Sequence, residues 1–155
     1  MMTGLEFPDI SPIMFSIGPV AVRWYSMAYL FGILAGWYLI NRNVKKYDLG
    51  LSRTNVEDMV FYLTLGIILG GRLGYVLFYG KGYFWENPLR ILEIWQGGMS
   101  FHGGVLGVVA ALWLFARKIN YGFLRLTDLV VLYAPIGIFC GRLANFVNDE
   151  LWGRI

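Results

Sequence analysis

Four short clusters set charged, proton-carrying or amide side chains inside or beside strongly apolar sequence: Arg23, Trp24 and Tyr25; Arg72 and Tyr75; Ser100 and His102; Arg142, Asn145, Asn148 and Glu150. An ionisable group within an apolar span costs roughly 2.5 to 3.5 kcal/mol on insertion scales, so it should face a partner, a cavity or a lipid headgroup. Arg72 and Arg142 are the clearest cases. Each also has a plain structural use, Arg142 snorkelling to an interface and Arg72 pairing within a bundle. His102 titrates in the range that suits a general base, and equally suits a hydrogen-bonded packing histidine. Tyr25 and Trp24 fit a membrane interface whatever the function, because their rings are apolar and their tips polar.

To meet at one level these clusters need elements that cross and recross a membrane. The chain of 155 residues is 57% hydrophobic and only 15% charged, with a mean hydropathy of +0.57, which argues against a soluble domain. A bilayer core needs about 20 apolar residues per helix, so about four spans fit. Apolar runs place them at about 20–40, 59–79, 99–116 and 126–146. Gly18 and Pro19 suit the turn into the first helix. Pro135 falls inside the last run, where it reads as a kink. Between the second and third runs, Tyr83, Phe84, Trp85 and Trp95 with Lys81, Asn87, Pro88 and Arg90 suit a segment lying along the membrane. The expected fold is all-α: a single polytopic membrane domain over residues 1–155, with about four transmembrane helices and an interfacial segment.

The net charge of +3 is spread over short loops, which suits membrane orientation better than nucleic acid. Arg42, Lys45, Lys46 and Arg53 share one side with Arg117, Lys118 and Arg125, against Lys81 and Arg90 on the other, so the amino terminus is expected outside. All four clusters then fall at the outer face. Residues 1–19 lack the basic start and cleavage site of a signal peptide and read as an outer segment that stays attached. Cys140 stands alone, without disulfide partner or metal-ligand spacing, and reads as a packing residue. Gly66, Gly70, Gly71 and Gly74, with Gly103, Gly104 and Gly107, have no Walker lysine and suit close helix packing.

Three segments carry a resemblance: Gly70-Gly71-Arg72-Leu73-Gly74-Tyr75, Gly97-Gly98-Met99-Ser100-Phe101-His102-Gly103-Gly104, and Gly141-Arg142-Leu143-Ala144-Asn145-Phe146-Val147-Asn148-Asp149-Glu150-Leu151-Trp152-Gly153-Arg154. Together with Phe15-Ser16-Ile17-Gly18-Pro19 and Arg23-Trp24-Tyr25, they resemble the prolipoprotein diacylglyceryl transferase family in order along nearly the whole chain. The resemblance implies a multi-pass enzyme of the bacterial inner membrane. It would move the diacylglyceryl group of phosphatidylglycerol onto the lipobox cysteine of a prolipoprotein, forming a thioether and releasing glycerol phosphate. It implies no cofactor and no metal. By matching positions, His102 is the base for the thiol and Tyr25 a second catalytic residue, while Arg142 holds the phosphate and Asn145, Glu150, Gly153 and Arg72 complete the substrate-binding set. The chemistry agrees: a thiol attacks as thiolate, and a departing phosphate ester needs a positive hydrogen-bonding partner.

Ala144 and Asp149 stand where the family often has glycine. The family also continues through further spans and contributes another phosphate-binding arginine, so this chain resembles an amino-terminal portion. The rival readings are a lipid-binding or transport protein, in which His102 has no task, and a structural subunit or inactive fragment that packs against other spans. Incubated alone with phosphatidylglycerol and a lipobox peptide, residues 1–155 are expected to give no turnover; measurable transfer would overturn that.

Overall fold

A computed structural model describes residues 10–18, 20–80, 82–94 and 97–148, with the backbone alone at 17, 20, 21 and 85. Among these residues it holds strands β1 (Ile13–Ile17) and β2 (Val20–Arg23), then helices α1 (Trp24–Tyr47), α2 (Arg53–Tyr79), α3 (Tyr83–Glu86), α4 (Phe101–Lys118), α5 (Phe123–Val131) and α6 (Ala134–Val147). A 3-10 turn, Pro88–Leu92, lies between α3 and α4. The fold is predominantly helical, as expected.

The start differs from the sequence reading. Residues 13–23 form an antiparallel hairpin, with Ile13 opposite Arg23 and Ile17 opposite Val20, and the first helix begins only at Trp24. Gly18, at φ +58, turns the chain back, while Pro19 lies outside the described residues. Ile13, Ile17, Val20 and Val22 are β-branched, which favours the pleated pair over a helical start at residue 20. The hairpin feeds α1 directly, because Trp24 N–H donates to the Pro12 carbonyl at 3.2 Å.

α1 also outlasts its apolar run. It continues through Arg42 to Tyr47, with Lys45 and Lys46 in its last turn, where cations complement the helix dipole. The run at 126–146 is not one kinked helix. It breaks at Leu132 and Tyr133, and Pro135 sits in the first turn of α6, a position where its missing N–H costs nothing.

Among the described residues, α2 is the one helix long and apolar enough to cross a membrane by itself, and the broken pair α5–α6 qualifies if taken as one span. α1 scores lower because Trp24, Tyr25, Tyr29, Trp37 and Tyr38 dilute its aliphatic residues. α4 has only 18 residues and ends in Arg117 and Lys118. Only 17% of the most apolar stretch of α2 is buried, and Leu65, Leu69, Leu73 and Leu77 face outward. A soluble core helix would bury that stripe; lipid accepts it.

The chain divides into two compact units, residues 40–130 and residues 1–39 with 131–155. The first is built on α2 against α4. Val56, Met59, Phe115 and Leu126 are completely buried at one end of it, with the Tyr62 ring 5.4 Å from that of Phe115. Towards the other end side chains give way to a glycine seam. A Cβ placed on Gly66 would stand 2.6 Å from the Gly107 carbonyl oxygen, and one on Gly74 2.7 Å from Gly103 Cα. The seam repeats every fourth residue, at Gly66, Gly70 and Gly74 facing Gly103, Gly107 and Ala111, so each helix presents one smooth ridge. In the second unit a Cβ on Gly32 of α1 would lie 3.1 Å from Gly137 Cα of α6, and Cys140 of α6 is buried and unpaired, a packing residue as expected.

The branched side chain of Gly107→Val would meet backbone that cannot yield. Unfolding in detergent micelles should show a loss of about 3 kcal/mol, the upper end of overpacking costs. Gly36→Val, where nothing lies within 4 Å, should be tolerated; equal losses in both would refute the seam.

Candidate functional site

The loop joining the 3-10 turn to α4 brings several polar groups of the first unit together. Ser100 caps α4. Its hydroxyl accepts from Gly103 N–H at 3.2 Å, its own N–H donates to the Gly71 carbonyl of α2 at 2.9 Å, and the residue is buried. His102 follows on the first turn of α4, exposed, with the Phe101 ring edge-on at 5.7 Å.

Arg72 lies just beneath that loop, one residue after Gly71, and is 6% exposed. Its Nε donates to the Ile91 carbonyl at 2.8 Å. Its Nη2 donates to Arg90 O at 2.6 Å, and its Nη1 to Gly97 O at 2.6 Å and Gly98 O at 3.2 Å. The Phe84 and Tyr75 rings flank the guanidinium at 5.2 and 5.9 Å, adding cation–π attraction in a desolvated setting. Two adjacent carbonyls reach one nitrogen because Gly97 and Gly98 take φ of +84 and +78, the left-handed region that glycine adopts without strain. Four hydrogen bonds to main-chain carbonyls thus commit most of the Arg72 guanidinium to the protein, while the residue also lines the recess above it.

Above Arg72 an open recess of about 270 Å³ is lined by Tyr75, Tyr79, Tyr83, Phe84 and Arg90, among others. Arg90 there donates to the Tyr83 hydroxyl. Both stand on the segment expected along the membrane, and Leu89 and Leu92 beside them are 81% and 72% exposed. Trp95 lies outside the described residues.

Tyr25, Arg142 and Asn145 belong to the other unit. Tyr25 opens α1, partly buried, its hydroxyl 3.3 Å from that of Tyr29. Arg142 and Asn145 are three apart on α6 and so share a face. Arg142 is exposed, with no ion pair among the described residues, whereas Asn145 is buried. Asn148 caps the end of α6, its N–H on the Ala144 carbonyl at 2.9 Å, and its buried side-chain oxygen has no hydrogen-bond partner among the described residues. Glu150 and Gly153 lie outside them. No group of three or more metal-ligating side chains occurs among the described residues.

The sequence reading missed the hold of Arg72 on backbone carbonyls. Its one visible signal was the glycine pair at 97 and 98, ahead of a serine that can cap a helix.

Comparison with known proteins covers almost the whole chain. Residues 12–155 match the family model described as prolipoprotein diacylglyceryl transferase. A phosphatidylglycerol–prolipoprotein diacylglyceryl transferase of Rickettsia canadensis (strain McKiel) is 52% identical over 149 residues, covering 96% of this chain and 58% of the relative. The enzyme of that name from Rickettsia felis is 52% identical over 151 residues, covering 97% and 58%. That from Rickettsia bellii (strain OSU 85-389) is 47% identical over 151 residues, covering 97% and 57%. The chain thus spans 58% or slightly less of these relatives' length.

Ser100→Ala removes the α4 cap and should lower stability by about 1 kcal/mol. Hydrogen exchange at the Gly103 amide should accelerate before any other position in α4; unchanged protection there would dismiss the cap.

Proposed function

The chain belongs to the prolipoprotein diacylglyceryl transferase family, and from that premise we propose that it supplies most of the reacting groups of a phosphatidylglycerol–prolipoprotein diacylglyceryl transferase. The observation that carries the reading is identity at about half of all positions, across nearly the whole chain, with relatives bearing that name.

The reaction displaces a phosphate ester with a thiol. The lipobox cysteine sulfur attacks the glyceryl carbon that bears the phosphate oxygen, a C–S bond forms, the C–O bond breaks, and its electron pair leaves with glycerol phosphate. The thiol proton must go to a base, and the growing charge on the phosphate must be met by a cation. His102 is the base. Its imidazole is exposed at the start of α4, open to a substrate thiol. Arg142 holds the phosphate, and its exposed guanidinium keeps a two-pronged edge to offer. Asn145, Glu150 and Gly153 complete the lipid site, and Tyr25 orients the reacting groups.

The packing of α1 on α6 supports the grouping of Tyr25 with Arg142 and Asn145. Tyr25 precedes Gly32 by about two helical turns, and Asn145 follows Gly137 by about the same. If the two helices run in opposite directions, as alternating spans do, these side chains fall at one level. The full reading is a multi-pass protein of the bacterial inner membrane, four spans in this chain, with its amino terminus and site towards the outer face. The basic residues at the facing ends of α1 and α2 (Arg42, Lys45, Lys46, Arg53) and of α4 and α5 (Arg117, Lys118, Arg125) support that orientation.

His102→Gln and Arg142→Ala, made in the protein at its relatives' full length, should each reduce transfer from labelled phosphatidylglycerol to a lipobox peptide by at least about 100-fold, the usual scale for losing a general base or a charge-stabilising donor. Membrane insertion should be unchanged. Near-normal transfer in both variants would favour a lipid-binding protein without catalysis.

A further inference from the structure

A buried guanidinium is costly unless its edges are used, and Arg72 spends its donors on one stretch of chain. Nε and Nη2 take the carbonyls of Ile91 and Arg90, and Nη1 those of Gly97 and Gly98. Three residues after Gly97 comes Ser100, whose N–H is held by the carbonyl of Gly71, the neighbour of Arg72 on α2. Two consecutive residues of α2 therefore grip both ends of the 97–100 loop. Ser100 then caps α4 through Gly103 N–H, and His102 lies between those two residues. Among the described residues no side chain hydrogen-bonds the imidazole itself; its place follows from the backbone that carries it.

We propose that Arg72 is a positioning residue of the transferase site: by fastening the loop ahead of α4 to α2, it sets where the imidazole of His102 stands. This rests on the reading of His102 as the base. An arginine that snorkelled would be exposed; Arg72 is buried, and its four hydrogen bonds go to main-chain carbonyls. Lysine cannot substitute, since one ammonium nitrogen cannot reach carbonyls lying off three different guanidinium nitrogens.

His102 is the only histidine in the 155 residues, so in micelles its ring resonances report its surroundings directly. Arg72→Gln and the milder Arg72→Lys should shift or split those resonances. At the relatives' full length both should lower kcat on the order of 100-fold, as small misplacements of a reacting group do, with KM for phosphatidylglycerol little changed. Val56→Ala, in the buried core at the far end of α2, should lower Tm without moving either readout. If Arg72→Gln fails to insert, Arg72→Lys carries the test. Unmoved histidine resonances, equal movement in Val56→Ala, or a loss confined to KM would each overturn the proposal. Displaced resonances with undiminished kcat would instead overturn His102 as the base while upholding the placement.

Discussion

Close contact between α2 and α4 along their glycines is the constraint on which the larger unit depends. Helices in lipid gain little hydrophobic energy by associating, because acyl chains are as apolar as leucine; van der Waals contact and hydrogen bonds remain, and both fall steeply with distance. With Gly66, Gly70 and Gly74 against Gly103 and Gly107, the two backbones come close enough for Ser100 N–H to reach the Gly71 carbonyl at 2.9 Å. Larger side chains on that ridge would hold the helices apart, and the start of α4 would lose its attachment.

The same seam explains why a buried arginine stands beside it. Between α3 and α4 the chain runs through a 3-10 turn and a glycine pair, backbone that satisfies only part of its carbonyls internally, as Glu93 N–H does for Arg90 O at 3.2 Å. A buried carbonyl left unmet is costly. Arg72 donates to four carbonyls of this stretch with one rigid, permanently charged group, and the Phe84 and Tyr75 rings lie against it. The segment is thus held by the second helix as well as by its own short helical turns.

Around this frame the proteins' usual relation of inside to outside is reversed. Fully buried large side chains are few, Phe115, Met59, Leu126 and Val56, while leucines and aromatics cover the exterior of α1, α2, α4 and α6. Polar side chains are correspondingly scarce: His102 stands on a capped helix start, and Arg142 and Asn145 one turn apart on α6.

Much of this was legible from residues alone. Membrane character follows from apolar runs near 20 residues long, since no soluble core could bury them, and family membership from three motifs in order. The seam was legible because glycine at every fourth position has few other uses. Where two local codes overlap, sequence reasoning chose wrongly. Gly18–Pro19 suits both a helix start and a hairpin turn, and the β-branched residues on either side settled it as a hairpin. Pro135 suits both a kink and a first helical turn, and α6 begins there. Folding alone assigned Arg72 its partners. Its acceptors are main-chain carbonyls 18 to 26 residues away, and every residue carries a carbonyl, so no side-chain pattern marks which ones a distant guanidinium will find.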